Sequence, residues 1–190
     1  MQVTIIYIHG FNSSPASSKS RLLHERLAML GLAHGFFAPA LPHSPASAAR
    51  MLEDLALRHP TAVLVGSSLG GYYATWLAER RALRAVLVNP AVRPYDLLGG
   101  HVGRQKNFHT GEEYEFTADH VAELRALEVS AITPAHYLLM VETGDEVLDY
   151  RHAVEKYRGA QQLVIEGGDH GFSNFADYLD AVVEYCRSSA

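Results

Sequence analysis

Four consecutive apolar residues, Ala62-Val63-Leu64-Val65, run without a break into Gly66-Ser67-Ser68-Leu69-Gly70. An apolar run this short, with no polar alternation, fits a strand buried on both faces, the situation of a central strand in a parallel sheet. The residues that follow, Leu69 to about Arg80, have helical length and carry Tyr72, Tyr73, Trp76 and Leu77. A strand that passes into a helix at once needs a sharp turn, and flanking glycines remove the bulk that would block it. Gly-x-Ser-x-Gly at such a junction is the sequence form of a nucleophile elbow. The serine side chain is thrust clear of the backbone, and the positive end of the following helix faces it. Taken alone, the same five residues also describe a simple packing turn, so the rest of the chain has to decide.

Strand-like and helix-like segments alternate along most of the 190 residues, which predicts a mostly parallel sheet covered by helices on both faces. Val3 to His9 reads as the first strand. A helix is expected from about Ser17 to Leu30, with Leu23, Leu27 and Leu30 on one face and Gly31 at its end. A short strand near Phe36-Phe37-Ala38 follows, then a helix from Ser44 to His59 with Ala48, Met51, Leu52 and Leu55 inward, stopped by Pro60. Ala85-Val86-Leu87-Val88 is the fourth strand, Tyr137 to Val141 the fifth and Gln162 to Ile165 the sixth. Helices are expected over Tyr150–Arg158 and Phe172–Arg187. Between Ala91 and Pro134 the rhythm fails. Pro94 to Gly99 reads as a helical turn, Val102 to Glu113 as irregular and Ala118 to Leu127 as an amphipathic helix. An excursion of this size in a small α/β domain is usually functional. The expectation is one domain over residues 1–190, with a six-stranded sheet in the order 2-1-3-4-5-6 and a cap inserted at about 91–134.

At 48% hydrophobic residues the chain can build a full core without metals or disulfides. A net charge of −5 and the lack of a basic stripe argue against nucleic-acid binding. The lone cysteine, Cys186, has no internal partner, which fits a reducing cytoplasm. The opening apolar run is too short for a membrane span and has no basic leader. Among 11 histidines there is no His-x-x-x-His spacing, and paired cysteines are missing, so no metal is expected. Neither Gly-x-Gly-x-x-Gly nor Gly-x-x-x-x-Gly-Lys occurs, and no nucleotide cofactor is expected.

A serine hydroxyl needs a base to take its proton, and the base needs an acid to hold one tautomer. In α/β-hydrolase order these arrive as serine, acid, histidine. Ser68 is followed by Asp145 in Thr143-Gly144-Asp145-Glu146-Val147, then by His170 in Gly167-Gly168-Asp169-His170-Gly171. Both loops follow strands, at the sheet edge where sites form. His24, His34, His59, His120 and His152 lie on helices or at their ends and read as surface. Asp149 and Glu146 compete with Asp145 for the acid, but Asp149 directly precedes a helix and reads as its N-cap. Asp169 ranks third, because neighbouring side chains in an extended loop diverge. An oxyanion hole needs two aimed N–H groups: Leu69, after the nucleophile, and Phe11, in the loop after the first strand. His9 reads as a packed buttress of that loop. Asn12 and Ser13 are candidates for the pocket lining, and Tyr95, Leu97, Leu98 and Phe108 for the residues that set acyl-group size.

Several stretches carry a resemblance. Tyr7-Ile8-His9-Gly10-Phe11-Asn12-Ser13-Ser14-Pro15, Gly66 to Leu77, Asn89-Pro90-Ala91-Val92-Arg93-Pro94, Thr143 to Arg151 and Val164 to His170 are together similar to the YqiA/YcfP-like bacterial esterases of the α/β-hydrolase superfamily. The resemblance implies esterase activity with Ser68 as nucleophile, Asp145 as acid and His170 as base. Asp169 departs from it, standing where close relatives would carry asparagine. The expected substrates are small carboxylic esters or thioesters, with acyl-CoA thioesterase and a non-catalytic binding protein as the rival readings. The oligomeric state is left open.

Overall fold

The computed structural model describes residues 3–188. Its order is β1 (Ile5–Ile8), α1 (Ser18–Met29), β2 (Phe36–Phe37), α2 (Pro45–Arg58), β3 (Val63–Ser67), α3 (Leu69–Arg81), β4 (Arg84–Val88), α4 (Pro94–Leu98), β5 (Gly103–Lys106), β6 (Glu113–Phe116), α5 (Ala118–Ala126), β7 (Tyr137–Glu142), α6 (Tyr150–Lys156), β8 (Gln161–Ile165) and α7 (Leu179–Arg187). The main sheet runs β2-β1-β3-β4-β7-β8, and every neighbouring pair in it is parallel. Counted by core strands alone, this is the order 2-1-3-4-5-6. The strands β1, β3 and β7 are buried at every residue, because helices cover both faces and neither face of the pleat meets water.

Alternate residues of each strand feed two cores. Ile6, Ile8, Leu64, Leu87 and Leu139 pack with α2, α3 and α5. Ile5, Tyr7, Val65, Val86 and Met140 pack with α1 and α7 through Leu23, Leu27, Val182 and Cys186. Two residues expected to face inward do not: Leu30 lies just past α1, and Met51 lies at the edge of the buried stripe of α2, and both are exposed. The last helix also begins later than its apolar pattern suggests. A 3-10 turn over Phe175–Tyr178 precedes α7, and Phe172 and Phe175 are buried ahead of it.

The segment between β4 and β7 adds no strand to the main sheet. Residues expected to be irregular instead form an antiparallel hairpin, with Gly103 opposite Phe116 and Lys106 opposite Glu113. The hairpin survives because Phe116 is buried at its base and its tip is tied by Asn107, which accepts from the His109 and Thr110 N–H groups. Among the described residues no helix is long and apolar enough to cross a membrane.

Candidate active site

Ser68 sits between β3 and α3 at φ 54°, ψ −120°, a conformation that costs a non-glycine residue about 1–3 kcal/mol and persists only where the surroundings enforce it. They do so through the main chain. The Ser68 N–H donates to the Val88 carbonyl at 3.0 Å, and the Ser68 carbonyl accepts from Gly71 at 2.9 Å and Ala91 at 3.1 Å. The glycines around it are required by space. A Cβ on Gly70 would run into the Ile8 carbonyl, and one on Gly66 would lie 2.8 Å from the Ala74 Cβ as well as on the Gly70 carbonyl. The turn can therefore be tight, and the serine hydroxyl stands at the carboxyl edge of the sheet.

Two loops from that edge meet it. His170 Nε2 lies 3.0 Å from Ser68 Oγ, and His170 Nδ1 lies 2.8 Å from Asp145 Oδ2. Asp145 follows β7 and has an almost fully buried carboxylate, while the His170 ring stays partly open to solvent. Burial pushes the Asp145 carboxyl up, but the His170 hydrogen bond and the N–H groups of Leu148 (2.8 Å) and Val147 (2.9 Å) outweigh it, and the net direction is below the ordinary carboxylate value. The carboxylate is thus ionised and fixed, able to hold a proton on Nδ1 and leave Nε2 free to accept one. Asp149 is occupied elsewhere. Its side chain caps α6 through the Arg151 N–H at 3.0 Å, and its ion pair with Arg151 lowers its pKa to about 2. Asp169 makes no hydrogen bond to the His170 ring among the described residues; its N–H donates to Glu142 Oε2 at 2.9 Å.

Sequence reasoning missed the groups that hold the His170 loop. Asn89, at the end of β4 with φ 40°, donates through Nδ2 to the carbonyls of Asp169 (3.0 Å) and His170 (3.3 Å), and its Oδ1 accepts from the Glu142 N–H at 2.9 Å. Glu142 is fully buried and takes the Asp169 N–H; Glu146 Oε2 takes the His170 N–H at 2.9 Å. Lys19 Nζ donates to the Gly171 carbonyl. Burial lowers the Lys19 pKa, against the opposing pull of Asp169, Glu142 and Asp145. Polar residues at the ends of β4 and β7 were the available signal, since a polar side chain buried at a sheet edge needs partners.

The loop after β1 approaches the serine from the other side. A Cβ on Gly10 would lie 3.3 Å from the Ser68 Cβ, so the main chain of Gly10 and Phe11 comes close. Leu69 N–H is the first of α3 and has no intrahelical acceptor. His9 is buried, with Nδ1 donating to the Gly10 carbonyl at 3.0 Å and Nε2 accepting from the Leu41 N–H at 3.3 Å; burial lowers its pKa, which suits the neutral ring these contacts describe. Asn12 adopts φ 53° and spends its side chain on the hairpin, donating to Gln105 Oε1 at 3.1 Å and accepting from Tyr114 Oη at 2.7 Å. Phe11 packs edge-on against Phe116, ring centres 5.2 Å apart, and Asn107 Nδ2 donates to the Ser13 carbonyl at 2.8 Å. A cavity of about 40 Å³ lies here, with Phe11, Asn12, Ser13, Leu69, His43 and Tyr114 in its wall. A much larger cleft, about 1120 Å³, opens beside Ala62, Val63 and Arg84, at the starts of β3 and β4 and so at the opposite sheet edge from Ser68.

The four candidates for acyl-group size scatter. Tyr95 and Leu98 are buried in the core and line neither the 40 Å³ cavity nor the groove described below; the Arg125 guanidinium covers the Tyr95 ring at 4.4 Å. Phe108 is 81% exposed at the hairpin tip. Leu97 borders a groove of about 310 Å³ between the segment after β4 and the Asp145 loop.

A family model described as "Uncharacterised protein family (UPF0227)" matches residues 4–187. The UPF0227 protein YcfP of Salmonella paratyphi A is 25% identical over 186 residues, covering 94% of this chain and 96% of that protein. A solved structure from Agrobacterium vitis S4 superposes with a TM-score of 0.80 at 19% identity, over 98% of this chain and 88% of the other. The esterase domain of a Rhodothermus marinus protein superposes at 0.69 with 16% identity, over 98% and 88%. At these identities the likeness to solved structures shows the fold, which is that of the α/β hydrolases.

Proposed function

The chain belongs to the UPF0227 family, and from that premise we propose that it is a serine hydrolase cleaving small carboxylic esters through an acyl-enzyme on Ser68. The observation that carries the reading is the continuous relay from Ser68 Oγ through His170 to Asp145, at 3.0 and 2.8 Å. His170 Nε2 takes the Ser68 proton as Oγ attacks the ester carbonyl, and Asp145 stabilises the imidazolium that forms. The N–H groups of Leu69 and Phe11 receive the developing oxyanion. His170 then protonates the departing alcohol, activates a water, and returns the proton to Oγ as the acid leaves. The hairpin β5–β6 serves as a cap that fixes the Phe11 loop through Asn12 and Asn107. The esterase domain from Rhodothermus marinus supports this reading as a protein of the same fold. A buried Cys186 whose thiol is pushed up to about 12 by desolvation is no rival nucleophile, and a single cysteine suits the cytoplasm we propose for it.

A fluorophosphonate probe tests the assignment. One label per chain is expected, lost in Ser68→Ala and in His170→Ala. Labelling that persists in Ser68→Ala places the reactive group elsewhere.

A further inference from the structure

A reacting ester has two arms, and the path of the proton decides which side of Ser68 each one takes. The departing alcohol receives its proton from His170 Nε2, and the incoming water gives one up there. Alcohol and water therefore belong on the His170 side, where the ring is partly open to solvent. The acyl group stays on Oγ between the two half-reactions and has to lie elsewhere. The cavity of about 40 Å³ on the side of the β1 loop has Phe11 and Leu69 in its wall, the residues whose amides are proposed above to receive the oxyanion, and His170 does not join that wall. Gly10 lines it too, and a Cβ added there would stand 3.8 Å from Ser68 Oγ. The cavity thus begins within contact distance of the nucleophile.

Its far wall is supplied by the cap and braced from several sides. Tyr114, on β6, donates from Oη to Asn12 Oδ1 at 2.7 Å. The Tyr114 ring stacks on His43, with centres 3.6 Å apart and planes 7° from parallel. His43 Nε2 meets Glu112 Oε1 at 3.2 Å, and the loop that carries His43 is held by the Leu41 N–H on His9. Tyr73, one turn after Leu69, lines the cavity from α3. A wall held this way yields little, and overfilling it carries the penalty of overfilling a packed core. One water-sized group takes about 10–15 Å³ of such space. About three carbon atoms therefore fit, the number that a butyryl group carries beyond its carbonyl carbon.

We propose that this cavity is the acyl subsite, that His43 and Tyr114 set its length, and that the substrates are esters of acids of up to about four carbons. The proposal rests on the serine-hydrolase reading above and adds the substrate class. A longer acid has to displace the His43–Tyr114 stack, whereas a longer alcohol, on the His170 side, does not meet it. His43→Ala and Tyr114→Ala each lengthen the cavity. Both residues are half-buried, and the buried Phe116 that anchors the hairpin is untouched in either variant.

Two readouts separate the subsite from the reaction. The first is kcat/KM for p-nitrophenyl hexanoate against the butyrate, with butyl butyrate against ethyl butyrate to lengthen the alcohol alone. Wild type is expected to cleave hexanoate at least about fivefold less efficiently than butyrate, and to lose less than about twofold when the alcohol is lengthened. Either alanine variant is expected to raise the hexanoate-to-butyrate ratio by about fivefold or more. Hexanoate cleaved by wild type as well as butyrate, a ratio that neither variant moves, or a penalty that follows the alcohol instead of the acid overturns the proposal. The second readout is binding of butyramide and hexanamide to Ser68→Ala, followed by NMR. Saturable butyramide binding that shifts the Leu69 and Tyr114 signals, with hexanamide weaker until His43 or Tyr114 is also replaced by alanine, supports the subsite even if wild type proves inactive. In that case the hydrolase reading alone fails. No saturable butyramide binding, hexanamide bound as tightly as butyramide before either replacement, or a hexanamide deficit that neither replacement relieves overturns the subsite.

Discussion

Replacing Asn89 with alanine should damage catalysis from a residue that touches no substrate. The amide at this position joins three main-chain groups: the Glu142 N–H and the carbonyls of Asp169 and His170. Alanine leaves the Glu142 N–H buried without an acceptor, at a cost of about 1–3 kcal/mol. It must also adopt φ 40°, where asparagine is tolerated and alanine is penalised by roughly 1–2 kcal/mol. The sum, about 2–5 kcal/mol, corresponds to a fall in Tm of about 5–15 °C for a chain of this size. The loop bearing His170 loses its tie to β4, and a shift of about 1 Å in a catalytic group can cost around 100-fold. We therefore expect kcat on a p-nitrophenyl ester to fall about 10- to 100-fold with KM little changed, measured well below the variant's Tm. Asn89→Gly separates the two contributions, since glycine takes positive φ freely. It should recover part of the Tm and none of the kcat. A loss of Tm in both variants with kcat within about twofold of wild type would refute the argument, because Asn89 would then stabilise the fold without positioning the base.

Asp145→Asn should lower kcat by about 10⁴-fold through loss of the correct histidine tautomer, whereas Asp149→Asn should leave kcat near wild type and lower Tm slightly as the α6 cap weakens; the reverse pattern in steady-state kinetics would move the acid to Asp149. The depressed Asp145 carboxyl also sets a pH window. Because its folded value lies below the unfolded value of about 3.9, its stabilising contribution is complete above roughly pH 5 and is lost as pH falls through the folded value. Thermal melts from pH 7 to 2.5 should show wild type losing more Tm below about pH 4 than Asp145→Asn does; parallel curves would contradict the assigned direction.

The main sheet was legible because its strands are short apolar runs separated by breakers, and a strand buried on both faces has few other ways to look. The meeting of the three candidate residues was legible for a related reason. Ser68, Asp145 and His170 each stand in a glycine-bearing loop directly after such a run, so one topology brings all three to one edge. Asp149 could be set aside because a helix starts right after it. The hairpin of 103–116 escaped because Gly103-Arg104-Gln105-Lys106 has no apolar face of its own. Its stability comes from contacts with residues far earlier in the chain, including Asn12 with Gln105 and Phe11 with Phe116. Tyr95 and Leu98 were misplaced for a similar reason. Apolar residues in an excursion can face a pocket or a neighbouring helix, and α5 takes these two. The bracket of Asn89, Glu142 and Glu146 leaves no periodic trace, since it consists of side chains bonded to main-chain atoms 24 to 81 residues away.

The acyl-enzyme is the centre of this account, and it can be weighed. Rapid mixing of the protein with a p-nitrophenyl ester, acid quenching within the first turnover and intact-mass measurement should show a burst of one nitrophenol per chain. The same quench should show a gain equal to one acyl group, mapping to the peptide that contains Ser68. Hydrolysis with no burst and no mass gain, or an acyl group found on any other residue, would contradict it.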